Sequence, residues 1–297
     1  MRSLLGNSPF SLMKLPPARL EKYDERLLTV APGDLMDLRI RNRRAIIAGA
    51  SAGLGYSSAM ALAREGVTLF ISARGEERLR NAAETIARET NASVTPVVAD
   101  HGTREGRRAL LMACSEPDIL VITCSPPRAI EDFREISEED WYGSVATTLV
   151  GPIELIKAAV DGMAERRWGR IVNIATGAAK HPTELRLLSG PTRSALVNYT
   201  VALSKRFAKD NVILNNLLPG LHMTPGLEKM LSDRAERNGS SYAFEEKRLI
   251  EFFGMPTKRL GNPNDFGAFC ALLCSDYANS IVGQNLVIDG GTIHGMF

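Results

Sequence analysis

The sequence predicts an α/β fold, a doubly wound parallel sheet in a single domain. Seven short apolar runs recur along the chain, at 45–50, 67–72, 92–98, 118–123, 170–175, 212–218 and 285–289. Most are apolar at nearly every position, as strands buried on both faces are, rather than alternating. Stretches of helical period separate them, among them 55–64, 76–88 and 104–114. Each strand therefore returns parallel to the last through a right-handed crossover. No internal repeat or linker-like change of composition divides the chain after residue 40.

Composition narrows the function classes. The chain has 297 residues, 44% hydrophobic and 24% charged, an ordinary globular balance with ample length for a core. Thirty-six Lys and Arg against 34 Asp and Glu leave +2. No global field draws it to nucleic acid or an acidic membrane, and neither partner is expected. No uninterrupted apolar run reaches the ~18 residues that span a bilayer. Residues 1–35 carry prolines and charges without a clean period, and Met36 reads like a start. They are expected to be an N-terminal extension to a domain at 36–297, either an upstream start or an arm that packs on the body. The opening has basic residues but no sustained apolar segment, which argues against a secretion signal. Cys114, Cys124, Cys270 and Cys274 are too few for a disulfide framework, so reduced thiols and a cytoplasmic location are expected. Cys270 and Cys274 stand four apart, and no His or Cys cluster completes a site around them. They are read as core thiols, and no metal is expected.

The strongest local motif is AGASAGLGYSSA at 48–59, directly after the first strand. Gly49, Gly53 and Gly55, with Ser51 and Leu54 between them, form a tight strand-to-helix turn. Backbone N–H groups and the positive end of the helix can then meet a pyrophosphate, the signature of a Rossmann-type dinucleotide site. The second strand ends in Ala73 and Arg74, where an NAD site usually has a carboxylate for the ribose 2′-hydroxyl. An Arg fork can grip a 2′-phosphate that a carboxylate would repel, so NADP is expected over NAD. Asp100, closing the third strand, is placed to meet the adenine edge or is simply a loop Asp.

With these residues and those of WGRIVNIA (168–175), NNLLPG (215–220), RLGNP (259–263) and IVGQNLVIDGG (281–291), the sequence resembles the short-chain dehydrogenase/reductase family over 36–291. The resemblance implies a seven-stranded parallel sheet, a nicotinamide cofactor and a small-molecule substrate. It also implies a homotetramer or homodimer. It carries Pro219, Gly220 and Thr224 over to the segment around the nicotinamide carboxamide and inner phosphate. The family's Asn-Asn-Ala-Gly stretch reads Ile122, Thr123, Cys124 and Ser125 here, and Cys124 is carried over as a cofactor contact.

The catalytic positions depart from the family pattern of Asn, Ser and Tyr-x-x-x-Lys. Matched by position, they are Thr148, Thr176, Ser189 and Arg193. Leu188, Ser189 and Arg193 resemble a divergent branch with an L-S-N-x-x-R pattern, with Gly190 in place of Asn. Serine is a far weaker acid than tyrosine, whose ordinary pKa is about 10. Lys180, His181 and His222 are therefore considered as other proton sources, although a plain surface role is the stronger reading for each. Residues 221–258 mix charge and apolar side chains and are expected to form a helical lid or to pack on the body or a neighbouring subunit, with a break at 239–241. The expected function is NADP(H)-dependent reduction of a carbonyl or oxidation of an alcohol, in a small, partly apolar substrate. The alternatives are a non-redox lyase, aldolase or dehydratase on the same scaffold, and a catalytically silent dinucleotide-binding protein.

Overall fold

Parallel pairing joins all seven strands, in the order β3-β2-β1-β4-β5-β6-β7. They are β1 (Arg44–Ala48), β2 (Thr68–Ala73), β3 (Val94–Val98), β4 (Ile119–Ile122), β5 (Gly169–Ile174), β6 (Val212–Pro219) and β7 (Asn285–Ile288). Each predicted run supplies one strand. This computed structural model describes residues 36–127 and 132–294, so the expected extension at 1–35 lies outside them.

Strand side chains split by parity between two apolar layers. Ala45 and Ile47 of β1, with Ile119 and Val121 of β4, enter one layer. There they meet α1 (Gly53–Arg64), α2 (Glu76–Thr90) and α9 (Pro263–Leu273). Ile46 and Ala48, with Leu120 and Ile122, enter the other. That layer takes α3 (Arg104–Ala113), α5 (Gly151–Glu165) and α6 (Gly190–Phe207). Successive side chains on a strand point to opposite faces, so a strand covered on both sides must be apolar throughout. Cys270 and Cys274 are both fully buried in the first layer.

One helix is longer and more apolar than its neighbours. A helix α4 (Glu138–Val145) runs through a π-helical turn, Ala146–Val150, into α5, giving 28 continuous residues. By length and composition alone this helix could cross a membrane, although Glu154 and Lys157 interrupt its apolar run. Its apolarity has a nearer cause: Leu155, Ile156, Ala159, Val160 and Met163 pack in the second layer beside Ile171 and Leu214.

After β6 the chain forms α7 (Pro225–Asn238) and α8 (Tyr242–Phe252), which share a small core of Leu231, Leu249 and Ile250. Gly239, at φ +60°, ends α7 in the left-handed conformation, and Ser241 caps α8. The Glu245 carboxylate locks this turn, accepting from Asn238 Nδ2 at 2.9 Å and Ser240 Oγ at 2.7 Å. Those two bonds, Asn238 first, hold its pKa below the usual range. The lowered native pKa makes the carboxylate's contribution to stability full above the unfolded value of about 4.3 and lost as pH falls through the native one. Glu245→Gln should therefore lower Tm at neutral pH, and the gap to wild type should close as pH drops toward about 3. Thermal melts of both proteins across that range give the check, and a gap that widens in acid contradicts the assignment.

Candidate active site

Winding reverses between β3 and β4, which opens a crevice beyond the carboxyl ends of β1 and β4. The glycine turn fills one side of it. Gly49 has φ +81°, and a Cβ there would lie 2.4 Å from the Thr123 carbonyl oxygen. A Cβ on Gly55 would lie 2.3 Å from the Gly49 oxygen, so the turn is packed as closely as backbone allows. Leu54 anchors it against the first apolar layer. The N-cap of α1 is Ala52, which offers no side-chain acceptor. Helices α3, α4, α7, α8 and α9 all start under a capping Thr, Ser or Asn. The first N–H groups of α1 thus keep their hydrogen-bonding capacity for an anion, aided by the helix dipole. Thr224, which caps α7 through Oγ1 to Leu227 N at 3.3 Å, brings its Cγ2 within 3.4 Å of a Cβ built on Gly53. The segment after Pro219 and Gly220 therefore reaches the turn, and Gly220 N is fixed by the Ile288 carbonyl at 2.9 Å.

The far end of the crevice is basic. Arg74, just past β2, is exposed, and no hydrogen bond or ion pair among the described residues occupies its guanidinium. Arg78 was missed by the sequence reading: its Nε donates to Ser51 Oγ at 3.2 Å, tying α2 to the glycine turn. Its spacing of four from Arg74 was the available signal. Asp100 Oδ1 accepts from Gly102 N at 2.8 Å, which orients the carboxylate at the end of β3. Beside it His101 is buried and holds its Nε2 at 3.0 Å from the Thr147 carbonyl. Burial pushes the His101 pKa down, so a neutral ring braces the strand end against the π-helical turn.

The positions matched to catalysis divide into two groups. Ser189 is the residue preceding α6, and Arg193, one turn on and 4% exposed, donates through Nη1 to Ser189 Oγ. Its Nη2 lies 3.0 Å from Cys124 Sγ and 3.4 Å from the Cys124 carbonyl oxygen. Ser189, Arg193 and Cys124 are thus brought together. Thr148 lies in the π-helical turn with its Oγ1 2.7 Å from the Ser144 carbonyl and 2.6 Å from Thr192 Oγ1, a bond between helices. Thr176 closes β5 and its Oγ1 accepts from Ala178 N at 3.3 Å. Neither hydroxyl bonds to Ser189 or Arg193.

The reserve proton sources fare unequally. Lys180 and His181 are exposed. His222 is neither a surface group nor free in the cleft: it is buried, edge-on to Phe266 at 5.2 Å, with Nδ1 3.3 Å from the Gly220 carbonyl. Burial pushes its pKa down. Phe266 is 44 positions from His222, and one sequence carries no sign of that approach. Tyr199 is half-buried against the second apolar layer.

A family model described as Enoyl-(Acyl carrier protein) reductase matches residues 49–293. The chain belongs to the short-chain dehydrogenase/reductase family. Among relatives of this short-chain dehydrogenase/reductase, the uncharacterized oxidoreductase YvaG of Bacillus subtilis is 27% identical over 266 residues, covering 88% of this chain and 100% of the relative. The NADPH-dependent reductase BacG of the same organism is 28% identical over 256 residues, covering 84% and 98%. L-sorbose reductase from Gluconobacter frateurii, solved with NADPH and L-sorbose, superposes with a TM-score of 0.84 at 28% identity, covering 88% of this chain and all of that one.

Proposed function

We propose that this short-chain dehydrogenase/reductase interconverts a carbonyl and an alcohol with NADP(H), using Ser189 and Arg193 at the usual Tyr and Lys positions. The observation that carries the reading is the cluster of Ser189, Arg193 and Cys124 across the crevice from an uncapped, glycine-lined helix start. That start, with Gly49, Ser51, Gly53, Leu54 and Gly55, fits the pyrophosphate; Arg74 fits the 2′-phosphate; Asp100 fits the adenine edge; Pro219, Gly220 and Thr224 line the nicotinamide end. The NADPH-dependent relatives support the same cofactor. When bound, the cofactor supplies the hydride to the carbonyl carbon.

The chain's own groups do the rest. Arg193 is a fixed charge that cannot give up its proton at working pH. A thiol is a weak acceptor, so the Arg193 fork exchanges Cys124 for a ribose hydroxyl at little cost. Its other nitrogen polarises Ser189 Oγ, whose own proton then goes to the substrate oxygen as negative charge develops there. Thr176 orients that oxygen from the end of β5. Thr148 holds the helix that carries them, through Thr192.

NADPH consumption over a panel of carbonyls, with cofactor binding measured in parallel, tests the reading. Turnover with stoichiometric alcohol is expected. Cofactor binding without turnover on any carbonyl would favour the silent binder, which the inward commitment of the Thr148 hydroxyl supports. Arg74→Ala should weaken NADPH binding roughly 10-fold or more while leaving NADH nearly unchanged, since a charge-assisted phosphate contact is lost. Calorimetry with both cofactors checks this, and a wild type preferring NADH contradicts it.

A further inference from the structure

Two guanidinium groups, those of Arg186 and Arg193, are paired with no carboxylate among the described residues. Arg193 is 4% exposed and its partners, Ser189 and Cys124, are neutral side chains and a carbonyl. Arg186 is half-buried on a short helical turn, Glu184–Arg186, and its guanidinium has no hydrogen bond or ion pair among the described residues. Ser189, which Arg193 bonds, lines the same cavity as Arg186, and burial first, with the charge of Arg193 second, pushes the Arg186 pKa down. Arg186 and Ser189 line one cavity together with Pro127, Ile136, Leu187 and Leu188. Glu184 lies at the same cavity but is exposed and makes no ion pair with Arg186.

Two adjacent, partly desolvated cations without a counter-ion are unfavourable unless something anionic completes the site. On the proposed reading the cofactor does not supply it, because its phosphates are assigned to the glycine turn and Arg74. We propose that the substrate carries a carboxylate close to its reacting carbon, that Arg186 grips this group as a fork, and that the reaction is oxo acid to hydroxy acid. A single planar fork matches the two oxygens of a monoanion; a phosphate dianion calls for more donors. This rests on the reading that the cleft at Ser189 receives the substrate. Arg186 is a specificity residue for that reaction and Arg193 adds its field.

The test uses the full chain with NADPH and two matched pairs, pyruvate with methyl pyruvate and acetoacetate with methyl acetoacetate. At least one acid should exceed its ester in kcat/KM by roughly 10–100-fold. Arg186→Gln should erase that preference mainly through KM, and Arg186→Lys should restore part of it. Calorimetry of the acids on the NADP⁺-loaded protein separates this proposal from the reductase reading. Acid binding that vanishes in Arg186→Gln, with no hydride transfer to any carbonyl, keeps the anion site and removes the reductase. Esters bound and reduced as well as the acids keep the reductase and overturn the anion site. Acids that do not bind the loaded protein overturn it as well.

Discussion

Ser189→Ala is expected to lower kcat by roughly 10²–10⁴-fold, the usual cost of removing a positioned proton donor, while NADPH affinity stays as it is. The hydroxyl faces the cleft cavity and receives a hydrogen bond from Arg193, so only the reacting oxygen should register its loss. Arg193→Ala should behave differently. It removes both a ribose donor and the charge that polarises Ser189, so NADPH binding and kcat fall together. Lys at 193 keeps the charge but not the fork, and should recover part of the binding. Single-turnover rates with saturating NADPH separate the two outcomes. An unchanged rate in Ser189→Ala would move the proton source elsewhere; Lys180 and His181, both exposed after β5, would be next, since His222 is buried against Phe266.

What the sequence made legible, it did through local requirements. The seven strands stood out because burial on both faces demands unbroken apolar runs, and the two apolar layers take alternate residues of those runs. The glycine turn stood out because Gly49 and Gly55 leave no room for a Cβ, a constraint that allows almost no other residue. The break at Gly239 was legible for a similar reason, a left-handed helix end.

The rest depends on which distant segments meet. The contact of Arg78 with Ser51 joins residues 27 apart, and that of Thr148 with Thr192 joins residues 44 apart. Arg193 reaches Cys124 across 69 residues. Arg186 sat in a stretch between β5 and α6 with no helical or strand period, so nothing marked its closeness to Arg193. His222 shows the same limit in reverse: a residue after a Pro-Gly turn read more as a surface group than a cleft one, and packing against Gly261 and Phe266 turned it into the core. The continuous helix 138–165 owes its apolar character to the sheet beneath it, which composition alone does not reveal.

Arg170→Met is expected to cost roughly 3–5 kcal/mol and to lower Tm by roughly 10 °C. Arg170 lies in β5, its side chain wholly enclosed. Burial lowers its pKa to about 10, opposed chiefly by Asp276, and the group stays charged at neutral pH. Its value lies in the acceptors it satisfies. Nε donates to the Ser275 carbonyl at 3.0 Å, and Nη1 to the Gly169 carbonyl at 2.8 Å and the Asn211 carbonyl at 3.0 Å. Nη2 bonds Asn279 and lies 3.5 Å from Asp276. The guanidinium also stacks over Trp168 at 4.5 Å, and Trp168 donates to Asp276 Oδ1 at 2.9 Å. Methionine fills much of the volume but leaves these acceptors without a donor, and the Ser275 and Gly169 carbonyls belong to buried residues. Lys should fall between, keeping the charge and losing the fork. Arg170 ties the start of β5 to the loop before β7, six residues from Thr176 past the other end of the strand. Loss of Tm should therefore come with loss of NADPH affinity only near the melt, not at low temperature. Melts and cofactor titrations of both variants check this. A Tm within about a degree of wild type for Arg170→Met would mean that the loop finds other donors when the guanidinium is gone.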